Sequence, residues 1–185
     1  MAIREFHLNP IPDGFQIFDE RLEVAGVVHR KADATKFVQK DGQWLELEPE
    51  PSNPYDKNAI KVIGCWNGLL GVKRVSLGYV PRDVASIIVK GGFLVQVRPR
   101  LLKTYLGESG FVEILFQLIG PKERTYEYRQ AFVQEESHYT QQVDRVKYLK
   151  QQEKFEDAIE LLLRLVEETE DEARKHSGGW GVAPW

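Results

Sequence analysis

From Lys122 to Ser177 the chain contains neither glycine nor proline, and this gap divides it into two different folding problems. Before it, glycines and prolines interrupt β-branched and aromatic runs every few residues, which restricts each element to a short strand or a short helix. After Gly120-Pro121, charged residues alternate with Val, Leu, Ile and Phe at spacings of three and four, the period of helices with one apolar face. Charge changes at the same place: residues 1–122 carry a net +2 and residues 123–185 a net −5, within a formal total of −3. With 185 residues, 42% of them hydrophobic, the chain is long enough for one domain and an appendage. It therefore reads as a β-rich domain over 1–122 and a helical extension over 123–185.

In the first part the pattern predicts six strands, at residues 21–29, 44–48, 59–66, 76–80, 93–102 and 111–119. Ile60 and Val62 alternate with Lys61 as in a half-buried strand. A short helix is expected at 32–40 and a better marked one in "PRDVASIIVKGG", where Pro81 suits the first turn and Asp83 faces the positive end. There Val84, Ile87 and Ile88 make an apolar stripe that Gly91 and Gly92 end. Short strands with two helices point to an α+β fold, a small barrel or strongly bent sheet with helices at its ends. In the second part, residues 139–175 predict two antiparallel helices, with Val143, Val146 and Leu149 on one stripe and Phe155, Ala158, Ile159, Leu162 and Val166 on another. "KYLKQQEKFEDAIELLLRL" resembles a single tetratricopeptide repeat, which cannot bury its own face and so implies packing on the β-rich domain, a neighbouring helix or a protein partner. Trp180 and Trp185 add apolar mass after a polar helix; either they dock, or the natural chain continues.

Several chemistries are excluded. Cys65 is the only cysteine, so the chain has no intrachain disulfide and no cysteine-built zinc site, and a reducing cytoplasm fits best. The beginning, "MAIREFHLNP", has no apolar leader core, and no window approaches the roughly 18 apolar residues of a membrane span. The four histidines, His7, His29, His138 and His176, are scattered and predict no metal site. "GLLGVKRVSLG" lacks the Gly-Lys-Ser/Thr ending of a phosphate loop, so turns are expected there and no nucleotide cofactor. Beside Trp66 in an apolar strand, Cys65 reads as a small core residue. No catalytic constellation is present, and the chain is expected not to be an enzyme.

What remains is aromatic and basic. "EPEPSNPYDKNAIKV", Glu48 to Val62, places an Asn-Pro-Tyr-Asp turn against a strand. Asn53, Pro54 and Asp56 have backbone reasons to be in a turn, but Tyr55 has none. Tyr79 and Arg82 precede the second helix, Phe111 begins a strand, and Lys57 to Lys103 holds nine basic residues against one acid, Asp83. Rings that stack on bases and cations that follow phosphates have this composition. A β core that contains aromatics, with lysines and arginines on its strand surfaces, has it too.

"VAGVVHR" (Val24 to Arg30), "EPSNPYDKNAIKV" (Glu50 to Val62) and "LGYVPRDVAS" (Leu77 to Ser86) resemble, in that order and spacing, the HIRAN domain. The resemblance covers roughly residues 18–122. It implies an OB-like β-barrel with flanking helices, of the stand-alone prokaryotic or phage type; at the front of Swi/Snf-type fork-remodelling ATPases the same domain captures the 3′ end of single-stranded DNA. Carried over, Tyr55 would stack on the terminal base, Asp56 would accept a hydrogen bond from the 3′ hydroxyl, and Asn53 would shape that pocket. Tyr79 and Arg82 would contact the adjacent sugar-phosphate, and Phe111 would supply a second ring. The ATPase members carry aromatic and basic residues where this chain has Leu22, Glu23 and Val24. The implied partners are single-stranded DNA at the barrel and a protein at the helices.

Overall fold

The computed structural model describes residues 2–5, 10–151 and 154–177. In chain order the elements are β1 (Ala2–Glu5), β2 (Phe15–Glu23), a 3-10 turn (Val27–Arg30), α1 (Lys31–Val38), β3 (Trp44–Pro49), β4 (Ile60–Gly68), β5 (Gly71–Tyr79) and α2 (Arg82–Lys90). They continue with β6 (Arg98–Leu106), β7 (Val112–Pro121), a 3-10 turn (Lys122–Arg124), α3 (Thr125–Gln151) and α4 (Phe155–Ser177). The chain divides into two compact units, Met1–Ala131 and Phe132–Trp185. The tryptophans Trp180 and Trp185 lie outside the described residues.

The first unit is mixed α+β. Its strands form two antiparallel sheets, one ordered β1-β6-β7-β2 and one ordered β3-β4-β5. The sequence predicts a single barrel or bent sheet; among the described residues there are two ladders, linked by an isolated bridge between Ala25 and Tyr79. Ala25 donates to the Tyr79 carbonyl at 2.8 Å and accepts from the Tyr79 N–H at 2.9 Å, while its neighbour Val24 donates to Ile114 of β7 at 3.0 Å. Two residues of chain thus pair with a strand of each sheet. The expected strand over 21–29 stops at Glu23 because Gly26, at φ 76°, turns the chain into the 3-10 segment.

In the β-rich unit burial follows the predicted faces, whereas of the second helical stripe expected from the sequence Ala158 is buried and Phe155, Ile159, Leu162 and Val166 are exposed. Val84, Ile87 and Ile88 of α2 are buried, each contributing about 1.5–3 kcal/mol relative to exposure. Pro81 stands at the N-cap of α2, at φ −48° and ψ 140°, one place before the helical turn expected for it. β4 buries Ile60, Val62, Ile63, Cys65 and Trp66. β7 is buried without a break from Ile114 to Gly120, with Ile114, Phe116 and Leu118 wholly enclosed.

The strand expected at 93–102 begins at Arg98, because Phe93 closes α2: its N–H donates to the Ile88 carbonyl at 2.9 Å and its ring is buried. That ring belongs to an aromatic cluster. Tyr128 stacks on Phe18 at 4.4 Å and meets Phe93 edge-on at 5.3 Å, and its hydroxyl donates to Asp19. Burial raises the Asp19 carboxyl above its usual range, against the Tyr128 hydrogen bond, and raises the Tyr128 phenol as well. Arg124 lies over Phe93 at 4.5 Å and donates to the Gly91 carbonyl at 3.1 Å. These contacts hold the first turn of α3 within the β-rich unit, so the unit extends to Ala131 and the helix, 27 residues long, begins at Thr125.

The link between the sheets has no room for a side chain. A Cβ on Gly78, at φ 153°, would lie 2.1 Å from the Ala25 carbonyl oxygen. Gly78→Ala is therefore expected to cost about 2–4 kcal/mol in urea unfolding. Gly26→Ala, with nothing within 4 Å of its Cβ and a positive φ as its sole penalty, is expected to cost about 1–2 kcal/mol. Equal costs at the two positions would contradict the steric role assigned to Gly78.

Candidate nucleic-acid interface

Asn53 builds the turn between β3 and β4. Its side-chain oxygen accepts from the Tyr55 N–H at 2.9 Å and the Asp56 N–H at 3.2 Å, and its amide donates to Glu50 Oε2 at 2.8 Å. Asp56 Oδ1 accepts from the Asn58 N–H at 2.8 Å, and the Asp56 carbonyl accepts from Ala59 at 3.1 Å. The backbone donors of the turn are thereby satisfied by short side chains, a use of Asn and Asp that loops favour. Tyr55 takes part through its N–H alone. The residue is 67% exposed, so it is neither a packed corner nor part of the core.

Asp56 also faces α2: its Oδ2 lies 3.7 Å from Arg82 Nε, with both side chains largely covered. Tyr79 enters through Glu50. The Tyr79 hydroxyl donates to Glu50 Oε2 at 3.0 Å, and Lys61 Nζ lies 2.6 Å from Glu50 Oε1. Hydrogen bonds from Lys61, then Asn53 and Tyr79, lower the Glu50 carboxyl from the usual 4.5 to about 2, and the same carboxylate raises the Lys61 ammonium. Five residues selected from the sequence, Asn53, Tyr55, Asp56, Tyr79 and Arg82, therefore share one bonded neighbourhood.

Two of its members were not anticipated. Glu50, which opens the "EPSNPYDKNAIKV" motif, is the hub. Arg30 lies with its guanidinium carbon 5.1 Å from the Tyr79 ring centroid, donates from Nη2 to the Tyr79 hydroxyl at 3.1 Å, and donates from Nε to Ser76 Oγ at 3.0 Å. A sequence signal for Arg30 existed, since it ends the "VAGVVHR" segment. Nothing local marks its role, because its partners lie 46 and 49 residues away.

Phe111 stands apart from this bonded group. The residue is 55% exposed, and its ring lies 6.0 Å from the ring of Tyr105. It lines a cleft of about 690 Å³ with Val24 to Val28, Lys31 and Pro81, the residue before Arg82. Leu22 and Val24 are buried, and Glu23 lines that cleft together with Val24. The cationic stretch is largely engaged within the protein: Lys61 with Glu50, Arg74 with Glu46 at 3.0 Å and Glu48 at 3.4 Å, Arg82 with Asp56, and Arg98 over the Phe15 ring at 4.8 Å. Cys65 is buried, and burial raises its thiol to about 11, as befits a core residue. Among the described residues no group of three or more His, Cys, Asp or Glu could hold a metal ion, and no helix is long and apolar enough to cross a membrane.

Residues 19–90 match the family model of the HIRAN domain. Among solved structures, the chain is similar to the crystal structure of the HIRAN domain of human HLTF, at 19% identity and a TM-score of 0.42 over 67% of this chain and 94% of that one. It is similar to the NMR structure of the HLTF HIRAN domain at the same identity and TM-score, over 65% and 91%. No curated protein matches.

The position of Glu50 in the turn gives a pH dependence of definite sign. Its folded value lies below its usual one, so its stabilising contribution is complete above about pH 4.5 and is withdrawn as the pH falls toward about 2. The thermal midpoint of the wild type minus that of Glu50→Gln is expected to be constant between about pH 6 and 8 and to shrink below about pH 4.5. A difference that is independent of pH would contradict the assignment.

Proposed function

We propose that the β-rich unit is a non-enzymatic module of HIRAN type that binds single-stranded DNA by its 3′ end, and that the C-terminal helices, read as a tetratricopeptide-like hairpin, contact a protein partner. The observation that carries this reading is the exposed ring of Tyr55, presented by an Asn53-ordered turn directly beside the Asp56–Arg82 pair. A tyrosine left 67% exposed while its own N–H is fixed offers a base a stacking face at little further ordering cost. Asp56 stays an acceptor although it bonds Asn58 and faces Arg82, since each carboxylate oxygen has two lone pairs. In this reading it takes the 3′ hydroxyl, Arg82 and Tyr79 take the neighbouring sugar-phosphate, and Phe111 offers a second ring across the adjoining cleft. The competing reading is an interaction scaffold whose barrel has lost DNA binding, and its sign would be Tyr55 and Asp56 buried under the helical hairpin.

Phosphates repel carboxylates, so Asp56 distinguishes end recognition from general attraction to a backbone. A 3′ phosphate is expected to weaken binding tenfold or more, about 1.4 kcal/mol, while a 5′ phosphate has little effect. Asp56→Asn should abolish most of that preference and leave weak, salt-sensitive binding. Tyr55→Ala should cost about 1–3 kcal/mol through lost stacking. Fluorescence titrations that give equal affinities for free and phosphorylated 3′ ends would refute end recognition, and an unchanged affinity in Tyr55→Ala would make the ring structural.

A further inference from the structure

Arg30 is a cation held in place by neutral groups. Its Nε is held by Ser76 Oγ at 3.0 Å, its Nη2 by the Tyr79 hydroxyl at 3.1 Å, and its guanidinium carbon lies 5.1 Å from the Tyr79 ring centroid. Among the described residues no carboxylate pairs with it. This sets it apart from Lys61, Arg74 and Arg82, whose charges are met by Glu50, Glu46 with Glu48, and Asp56. Beside it lies a cleft of about 340 Å³ lined by His29, Arg30, Lys31, Ala32, Asp33 and Ser76. Asp33 is the one acid of that lining. Lys31 also lines the larger cleft that holds Phe111 and Pro81, so the basic segment borders both.

A guanidinium fixed on two of its nitrogens loses little further freedom when it binds an anion, and its planar fork suits a phosphate oxygen pair. We infer that Arg30, with Lys31 beside it, forms a second anion subsite that receives an internal phosphodiester of the strand whose 3′ end lies at Asp56. The inference rests on the reading of the preceding subsection and extends it: the DNA path runs from the Asp56–Arg82 pair past Tyr79 toward the cleft at Ser76. Arg30 supplies positive charge on the C-terminal side of Gly26-Val27-Val28, whereas Leu22, Glu23 and Val24 supply none on the N-terminal side.

The test uses decathymidylate labelled at its 5′ end, its 3′ hydroxyl free, titrated by anisotropy between about 50 and 200 mM salt. Arg30→Gln is expected to bind about fivefold more weakly at the lowest salt and to reduce the slope of log affinity against log salt by about 0.7, the share of one phosphate on a single strand. Arg30→Lys should restore the slope, which guards against a folding defect in the glutamine variant. Dithymidylate, followed by NMR titration, should bind the wild type and Arg30→Gln alike, because its one phosphate is taken at Arg82. An unchanged slope and affinity for the decamer would overturn the inference while leaving end recognition standing, as would an equal loss for the dimer and the decamer. A wild-type chain that binds no decathymidylate would fail the underlying reading, and the subsite with it.

Discussion

Two backbone hydrogen bonds between Ala25 and Tyr79, of 2.8 and 2.9 Å, connect the sheets of the β-rich unit, and the candidate site takes its geometry from them. The main chain of Tyr79 completes the bridge while its hydroxyl enters the Glu50 network, so a single residue relates sheet assembly to the turn that carries Tyr55. Gly78 makes this approach possible, because any Cβ there would collide with the Ala25 carbonyl. Immediately beyond, Val80 donates to Ile60 at 2.9 Å and Pro81 starts α2, which places Arg82 opposite Asp56. Strand pairing, glycine sterics and helix initiation thus converge on one side-chain arrangement.

Electrostatics then selects what this arrangement can recognise. Glu50 gathers Lys61, Asn53 and Tyr79, which leaves the turn nearly neutral as well as ordered. Surface cations that meet carboxylates a few ångströms away contribute little long-range attraction. Positive charge not matched in this way therefore carries more information than the overall count, and Arg30 is the clearest instance. In the proposed reading the exposed aromatic ring of Tyr55, the carboxylate of Asp56 with its spare lone pairs and the guanidinium of Arg30 would meet a base, a terminal hydroxyl and a phosphate, in that order.

Local patterns were legible wherever the deciding interactions are local. β3 and β4 fall within two residues of their expected limits, the apolar stripe of α2 is buried as expected, and the Asn-Pro-Tyr-Asp turn is organised by side chains three residues apart or fewer. Features fixed by distant partners were not legible. The role of Arg30 depends on Ser76 and Tyr79, and the start of α3 depends on Tyr128 finding Phe18, Asp19 and Phe93. The absence of glycine and proline marked a helical region but not where the β-rich unit would fasten its first turn. The division into two sheets was equally hidden, because it follows from the left-handed conformation at Gly26 and the close approach at Gly78, which alternation of apolar residues does not encode.

The central claim is that a single-stranded 3′ end sits against Tyr55 and Asp56, and an NMR titration of the labelled chain with a short oligothymidylate tests it most directly. The account predicts saturable shifts centred on the backbone amides of Tyr55, Asp56 and Asn58 and on the side chain of Arg82. Shifts of equal size at cationic residues throughout the surface, or shifts that bypass the Asn53 turn, would contradict it.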